Sequence, residues 1–162
     1  MKTKSTLAIL FLFCLSLVPQ PARADDAQTS APNVVWLENY NDALARAKAE
    51  NKRVLIDFTG SDWCYFCKKM DAEVLSKAAF ADYANKNLVL LKVDFPRSRQ
   101  LPKDVAERND VLQRVFGVQG FPTFVVLDPE GDEIDRRIGY QEGGPEGFIR
   151  FLKVSENAAN TK

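Results

Sequence analysis

Val54-Leu55-Ile56-Asp57-Phe58-Thr59-Gly60-Ser61-Asp62-Trp63-Cys64-Tyr65-Phe66-Cys67-Lys68 is the stretch that decides the architecture. It opens with a short run that is apolar except for Asp57, the pattern of a strand buried on both faces of a parallel sheet. Thr59-Gly60-Ser61-Asp62 interrupts that run, and a helix is expected beyond it, with Cys67, Met70 and Val74 on one stripe. Two thiols separated by two residues therefore stand at a helix start, where they can close into a disulfide with little backbone movement. The unpaired backbone N–H groups and the dipole of a helix start favour negative charge. This lowers the pKa of the first thiol below the roughly 8.5 of a free cysteine. Thiolate is the attacking species in disulfide exchange, so Cys64 is the candidate nucleophile. Cys67, one turn inward and sheltered, is the candidate resolving thiol.

The flanking sequence extends the alternation of strands and helices. Val34 to Leu37 reads as a short first strand, and Tyr40, Ala43, Leu44 and Ala47 recur at helical spacing until Asn51. A further helix is expected near Lys77 to Asn85, and Leu88 to Val93 is a second buried-type strand. Phe95 to Asp104, with two prolines, reads as a loop. Val111, Leu112, Val115 and Phe116 mark the next helix, ended by Gly117. Thr123 to Leu127 and Glu133 to Ile138 are strands joined by Asp128-Pro129-Glu130-Gly131, a turn signal that predicts an antiparallel hairpin at the edge of the sheet. Phe148, Phe151 and Leu152 give a closing helix. The fold class is α/β with a mixed sheet covered by helices on both faces.

The ends read differently. Lys2 and Lys4, the apolar run from Leu7 to Val18, and Ala22-Arg23-Ala24 have the layout of a cleaved secretory signal peptide over residues 1–24. A run of twelve residues, apolar but for Ser16, is too short to span a bilayer, and Phe13 before Cys14 is too bulky for a lipid-anchor signal. Residues 25–33 are expected to be a flexible N-terminus, 34–154 one compact domain, and 155–162 a flexible tail. The whole chain balances 22 basic against 22 acidic residues, and loss of Lys2, Lys4 and Arg23 leaves it mildly acidic. That excludes the basic excess of a nucleic-acid-binding surface. No later segment is long and apolar enough to cross a membrane. Cys14 leaves with the signal, so Cys64 and Cys67 remain. A bridge between them closes almost no loop and stabilises little, which points to reactivity rather than scaffolding. Two thiolates in a chain without histidine also fall short of a tetrahedral zinc site unless two chains share one. No metal or other cofactor is expected.

The segment from Val54 to Lys68 resembles the active-site strand, loop and helix of thioredoxins. Gly117-Val118-Gln119-Gly120-Phe121-Pro122-Thr123-Phe124-Val125-Val126 resembles the loop in which that family holds a cis-proline opposite its cysteines, and Asp128 to Gly131 and Gly139 fall at its hairpin turn and following glycine. The likeness runs from about Val34 to Leu152. It implies a thioredoxin fold, with Pro122 in cis against the disulfide and Phe121 contributing to substrate contact. It also implies that Asp57 is a buried carboxylate beneath Cys67, able to shuttle its proton, against the plainer reading of a structural carboxylate. Trp63 is placed on the rim of the site, and Tyr65 and Phe66 on an apolar docking surface around the sulfur. Two departures stand out. One extra residue separates Asp57 from Cys64, and Tyr65-Phe66 replaces both the Gly-Pro of thioredoxin and the Pro-His of strong periplasmic oxidants. Lys92 is expected to point outward into solvent, with a reach toward Asp57 as the alternative, and the Arg97 to Lys103 stretch to be a solvated connection, with partner recognition as the alternative.

The expected function is thiol–disulfide exchange with cysteines of exported proteins, in the periplasm or as a secreted protein. With no histidine to stabilise the Cys64 thiolate, the reductase direction is favoured over a strongly oxidising one. A secreted reductase needs an electron source, and a membrane-embedded thiol-reductant transporter is the expected donor. The alternative is a non-catalytic adaptor or metallochaperone that holds a soft metal such as Cu(I) through the dithiol.

Overall fold

The computed structural model describes residues 33–159; the expected signal peptide, most of the expected flexible N-terminus and the last three residues lie outside them. Five strands form one sheet: β1 (Trp36–Leu37), β2 (Arg53–Thr59), β3 (Leu88–Asp94), β4 (Thr123–Leu127) and β5 (Glu133–Ile138). Their spatial order is β1-β3-β2-β4-β5. β1, β3 and β2 run parallel, β4 runs antiparallel to β2, and β5 antiparallel to β4. Only β5 of the hairpin is an edge strand. β4 lies inside the sheet beside β2, because its apolar sequence is buried at every residue whereas β5 is charged and partly exposed. This is the thioredoxin fold.

Five α-helices cover the sheet: α1 (Tyr40–Glu50), α2 (Tyr65–Met70), α3 (Ala78–Asn87), α4 (Lys103–Val115) and α5 (Gly144–Ala159). Residues alternate across each strand, so β2 and β3 feed both faces. Leu55, Leu90, Phe124 and Val126 pack with Met70, Val74, Phe80, Phe148 and Leu152 on the α2, α3 and α5 side. Val54, Ile56, Phe58, Leu91 and Val125 pack with Ala43 and Ala47 of α1 on the other. Asn39 caps α1, its side chain accepting the Asn41 and Asp42 N–H groups, and Asn51 ends the helix in the left-handed conformation.

Three elements differ from the sequence expectation. α2 runs directly into a π-helical turn, Asp71–Leu75, which keeps Met70 and Val74 on the core side together with Cys67. α4 starts eight residues before the Val111 stripe, because charge pairs rather than apolar residues carry its first turns: Arg108 bonds Asp104 at 2.7 Å, and Asn109, buried, donates to the Asp94 carbonyl. α5 continues past Ser155 to Ala159 instead of ending in a tail. The Ser155 side chain is buried and lies within hydrogen-bonding distance of Asp135 and the Phe151 carbonyl.

Candidate active site

The site begins at the C-terminal end of β2. The Gly60 carbonyl accepts the Cys64 N–H at 2.9 Å, folding the loop back so that α2 starts at once. Gly60 is required there: a Cβ on it would lie 2.5 Å from the Trp63 ring. Trp63 donates its indole N–H to the Phe95 carbonyl at 2.7 Å, and the Arg97 guanidinium lies over its ring, 3.7 Å from the centroid. The Asp62 carboxylate accepts the Arg97 and Ser98 N–H groups and the Ser98 hydroxyl, which hold its pKa down to about 2. Asp94 receives the Ser61 N–H and hydroxyl at 2.9 and 2.7 Å and the Arg99 guanidinium at 3.0 Å. The 95–99 segment is therefore bolted to the loop before the cysteines rather than free in solvent. Asp62, Arg97 and Gly60 were missed in the sequence, where Phe95-Pro96-Arg97 carried only a loop signal.

Cys64 occupies the N-cap position of α2 and is joined to Cys67 in a disulfide, with the two Cα atoms 5.2 Å apart. The Cys67 N–H points at the Cys64 sulfur, 3.2 Å away, a bond that becomes charge-assisted when that sulfur is a thiolate. Both cysteines are buried, whereas the two residues between them are not: Tyr65 is 69% exposed and Phe66 52%. Their rings meet edge to face at 5.3 Å, and Phe66 stacks on Tyr140. Tyr140 had no signal in the sequence, being remote along the chain from its partner.

The second half of the site comes from the start of β4. The Phe121–Pro122 peptide is cis. Phe121 meets Trp63 edge to face at 5.9 Å and stacks on Phe95 at 5.1 Å. The Pro122 carbonyl accepts the Gly139 N–H at 2.8 Å. Phe58 pairs with Thr123 across β2 and β4, so the strand that leads into the cysteine loop and the strand that leaves the cis-proline end at the same place.

Asp57 lies on the α2 side of β2, fully buried, and its Oδ1 has no hydrogen-bond partner. A cavity of about 120 Å³ lies against it, lined by Asp57, Thr59, Ser61, Cys67, Lys68, Asp71 and Lys92. It is polar and roomy enough for water. Burial pushes the Asp57 carboxyl up to about 7; Lys92 pulls it down, and Asp71 and Asp94 push it further up. Lys92 does not simply point into solvent: it lines this cavity and lies 5.2 Å from the centroid of the Trp36 ring. The arrangement unites a disulfide, a titratable carboxyl beside its inner sulfur, and an aromatic rim. No group of three or more His, Cys, Asp or Glu among the described residues is placed to hold a metal.

Comparison with known proteins agrees with this geometry. A profile of the thioredoxin-like domain matches residues 40–154. The disulfide bond reductase DsbH of Chlamydia pneumoniae is 35% identical over 124 residues, covering 76% of this chain and 74% of its own. A solved structure of a DsbH oxidoreductase superposes with a TM-score of 0.72 at 31% identity, covering 86% of this chain and 92% of that one. The thioredoxin-related protein DsbJ of Chlamydia pneumoniae is 28% identical over 130 residues, which are 80% of this chain but 37% of that protein.

Proposed function

Because this chain belongs to the thioredoxin-like family and is a thiol–disulfide oxidoreductase, we propose that it works outside the cytoplasm as a reductant of disulfides in exported proteins. The observation that carries this reading is the Cys64–Cys67 pair capping α2, with the Asp57 cavity against its inner sulfur. The direction is supported by the sequence, which holds no histidine to act as an imidazolium beside Cys64. It is also supported by the likeness to a protein named a disulfide bond reductase. Export rests on the signal-like residues 1–24.

In the reduced enzyme the Cys64 thiolate attacks one sulfur of the target disulfide. A Cys64–target disulfide forms, and the other target sulfur leaves as a thiolate that takes up a proton. Cys67 then gives its proton to the Asp57 carboxylate through the cavity and attacks the Cys64 sulfur. The Cys64–Cys67 bond forms, and the second target sulfur leaves and is protonated. The target gains two electrons and two protons, and the enzyme is left oxidised. A membrane-embedded dithiol donor returns the electrons by the same exchange.

Insulin reduction and the reduction potential test this reading together. Turnover that is lost in Cys64→Ser, with a potential near the thioredoxin value of about −270 mV, is the expected result. A potential near about −120 mV, the range of a strong periplasmic oxidant, would sink the reductant direction.

A further inference from the structure

Tyr140 stands just past β5, beyond Gly139, and thiol–disulfide exchange as such does not call for an aromatic ring there. Three contacts nevertheless fix it. Its ring stacks on Phe66, with centroids 6.3 Å apart and planes 25° from parallel. Its hydroxyl donates to the Glu73 carboxylate, which pushes the phenol up to about 12 and keeps it protonated. The Lys69 ammonium lies over the ring, 4.3 Å from the centroid. Glu73 belongs to the π-helical turn that follows α2, and Lys69 to α2 itself. Tyr140 is also packed, half-buried, against the core cluster around Phe148. The ring is thus anchored from below and braces Phe66 from the side.

The braced residues are the ones that a solvated surface would not favour. Tyr65 and Phe66 stand largely exposed between the two cysteines, locked edge to face. Tyr65 and Phe66 follow Cys64 directly in the chain, so a polypeptide bonded to that sulfur would lie close to their exposed rings. An ordered aromatic row at that place offers apolar contact without the entropy cost of ordering it during binding.

We infer that Tyr140 is a specificity-determining residue, which holds Phe66 and Tyr65 as a rigid ledge for an apolar side chain flanking the target cysteine of a polypeptide substrate. The inference deepens the proposed exchange activity and rests on it. The ledge meets the polypeptide and not the reacting sulfurs. It therefore acts on binding of chains that have such a neighbour, and leaves the chemistry of the cysteine pair alone.

Short peptides with an internal disulfide test this, one with Phe beside a cysteine and one with Ser at that place, alongside hydroxyethyl disulfide, which has no flanking chain. In Tyr140→Ala the KM for the Phe peptide should rise about five- to tenfold, the loss of one aromatic contact network. The kcat, the rate with hydroxyethyl disulfide and the reduction potential should stay within twofold or unshifted. Tyr140→Phe, which keeps the ring, should retain most of the preference for the Phe peptide. An equal loss on all three substrates, a shifted potential, or an unchanged KM for the Phe peptide would overturn the inference while leaving the exchange activity standing. Failure of the wild-type protein to reduce any of the three would remove the activity itself, and the inference with it.

Discussion

Asp57 on β2 and Lys92 on β3 occupy paired register positions of adjacent parallel strands, and the lysine supplies the field that favours ionisation of a carboxyl otherwise stripped of water. The two lie on the same face of the sheet and line one cavity together with Cys67. Desolvation outweighs the lysine, so the carboxyl still titrates near neutrality instead of near the usual carboxylate value.

That balance has a stability consequence. Unfolded, Asp57 loses its proton near the ordinary aspartate value of 3.8; folded, it keeps it until about 7. Between those values the native state binds more protons than the unfolded one, so this residue makes the fold less stable as pH rises from about 4 to 7. Asp57→Asn should flatten that slope and leave the oxidised protein more stable above pH 7, by an amount on the order of 4 kcal/mol at most. Urea unfolding of the oxidised protein at pH 5 and pH 8 checks it. The same variant should lose the rise in mixed-disulfide resolution through pH 7 and resolve at least about tenfold more slowly. An unaltered pH profile would show that Asp57 is only structural.

Gly60→Ala probes the loop before the cysteines. The added methyl would meet the Trp63 ring at 2.5 to 2.7 Å, so the indole must leave its seat and its bond to the Phe95 carbonyl. A loss of about 1–3 kcal/mol is expected, as for other overpacked sites. Trp63 fluorescence should shift toward that of a hydrated indole; the measurement is made with Trp36→Phe in the background. Unchanged fluorescence and stability would contradict the packing described.

Asp62→Ala should free the segment it holds. Amide hydrogen exchange at Arg97 and Ser98 should accelerate, since both N–H groups donate to this carboxylate, while exchange in β2 stays slow. Acid should do the same to the wild-type protein. With the folded pKa held near 2 and the unfolded one near 3.8, what the carboxylate contributes is present above the higher value and lost as pH falls through the lower one. Equal protection in variant and wild type would refute the anchoring role.

The sequence revealed the parts of the fold that are written in periodicity. β2, β3 and β4 are apolar runs short enough to be strands, and the Asp128 turn is built as its residues predict: the carboxylate gathers the N–H groups of Glu130, Gly131 and Asp132. The first turns of α4 were hidden because charges and one buried Asn109 hold them, and a search for an apolar stripe passes over such a helix. In the same way, Cys64 and Cys67 announce themselves by spacing, whereas Arg97 on Trp63 and Tyr140 on Phe66 are contacts between distant segments. Nothing local distinguishes those residues from any exposed arginine or tyrosine.

The pairing of Phe58 with Thr123 has a practical corollary for protein engineering. The cysteine loop and the cis-proline loop are remote along the chain; the β2–β4 ladder, which ends at the Phe58–Thr123 pair, brings them together, and Phe121 packs on Trp63 between them. Slippage of that ladder by one residue would send Thr123 to the opposite face and carry Pro122 with it. The Cys64–Cys67 tetrapeptide transplanted alone onto a foreign helix would therefore bring the two sulfurs without the Phe121–Pro122 half of the site. A graft that keeps both must move the two strands as a registered pair with α2 attached, leaving the other helices free to be replaced.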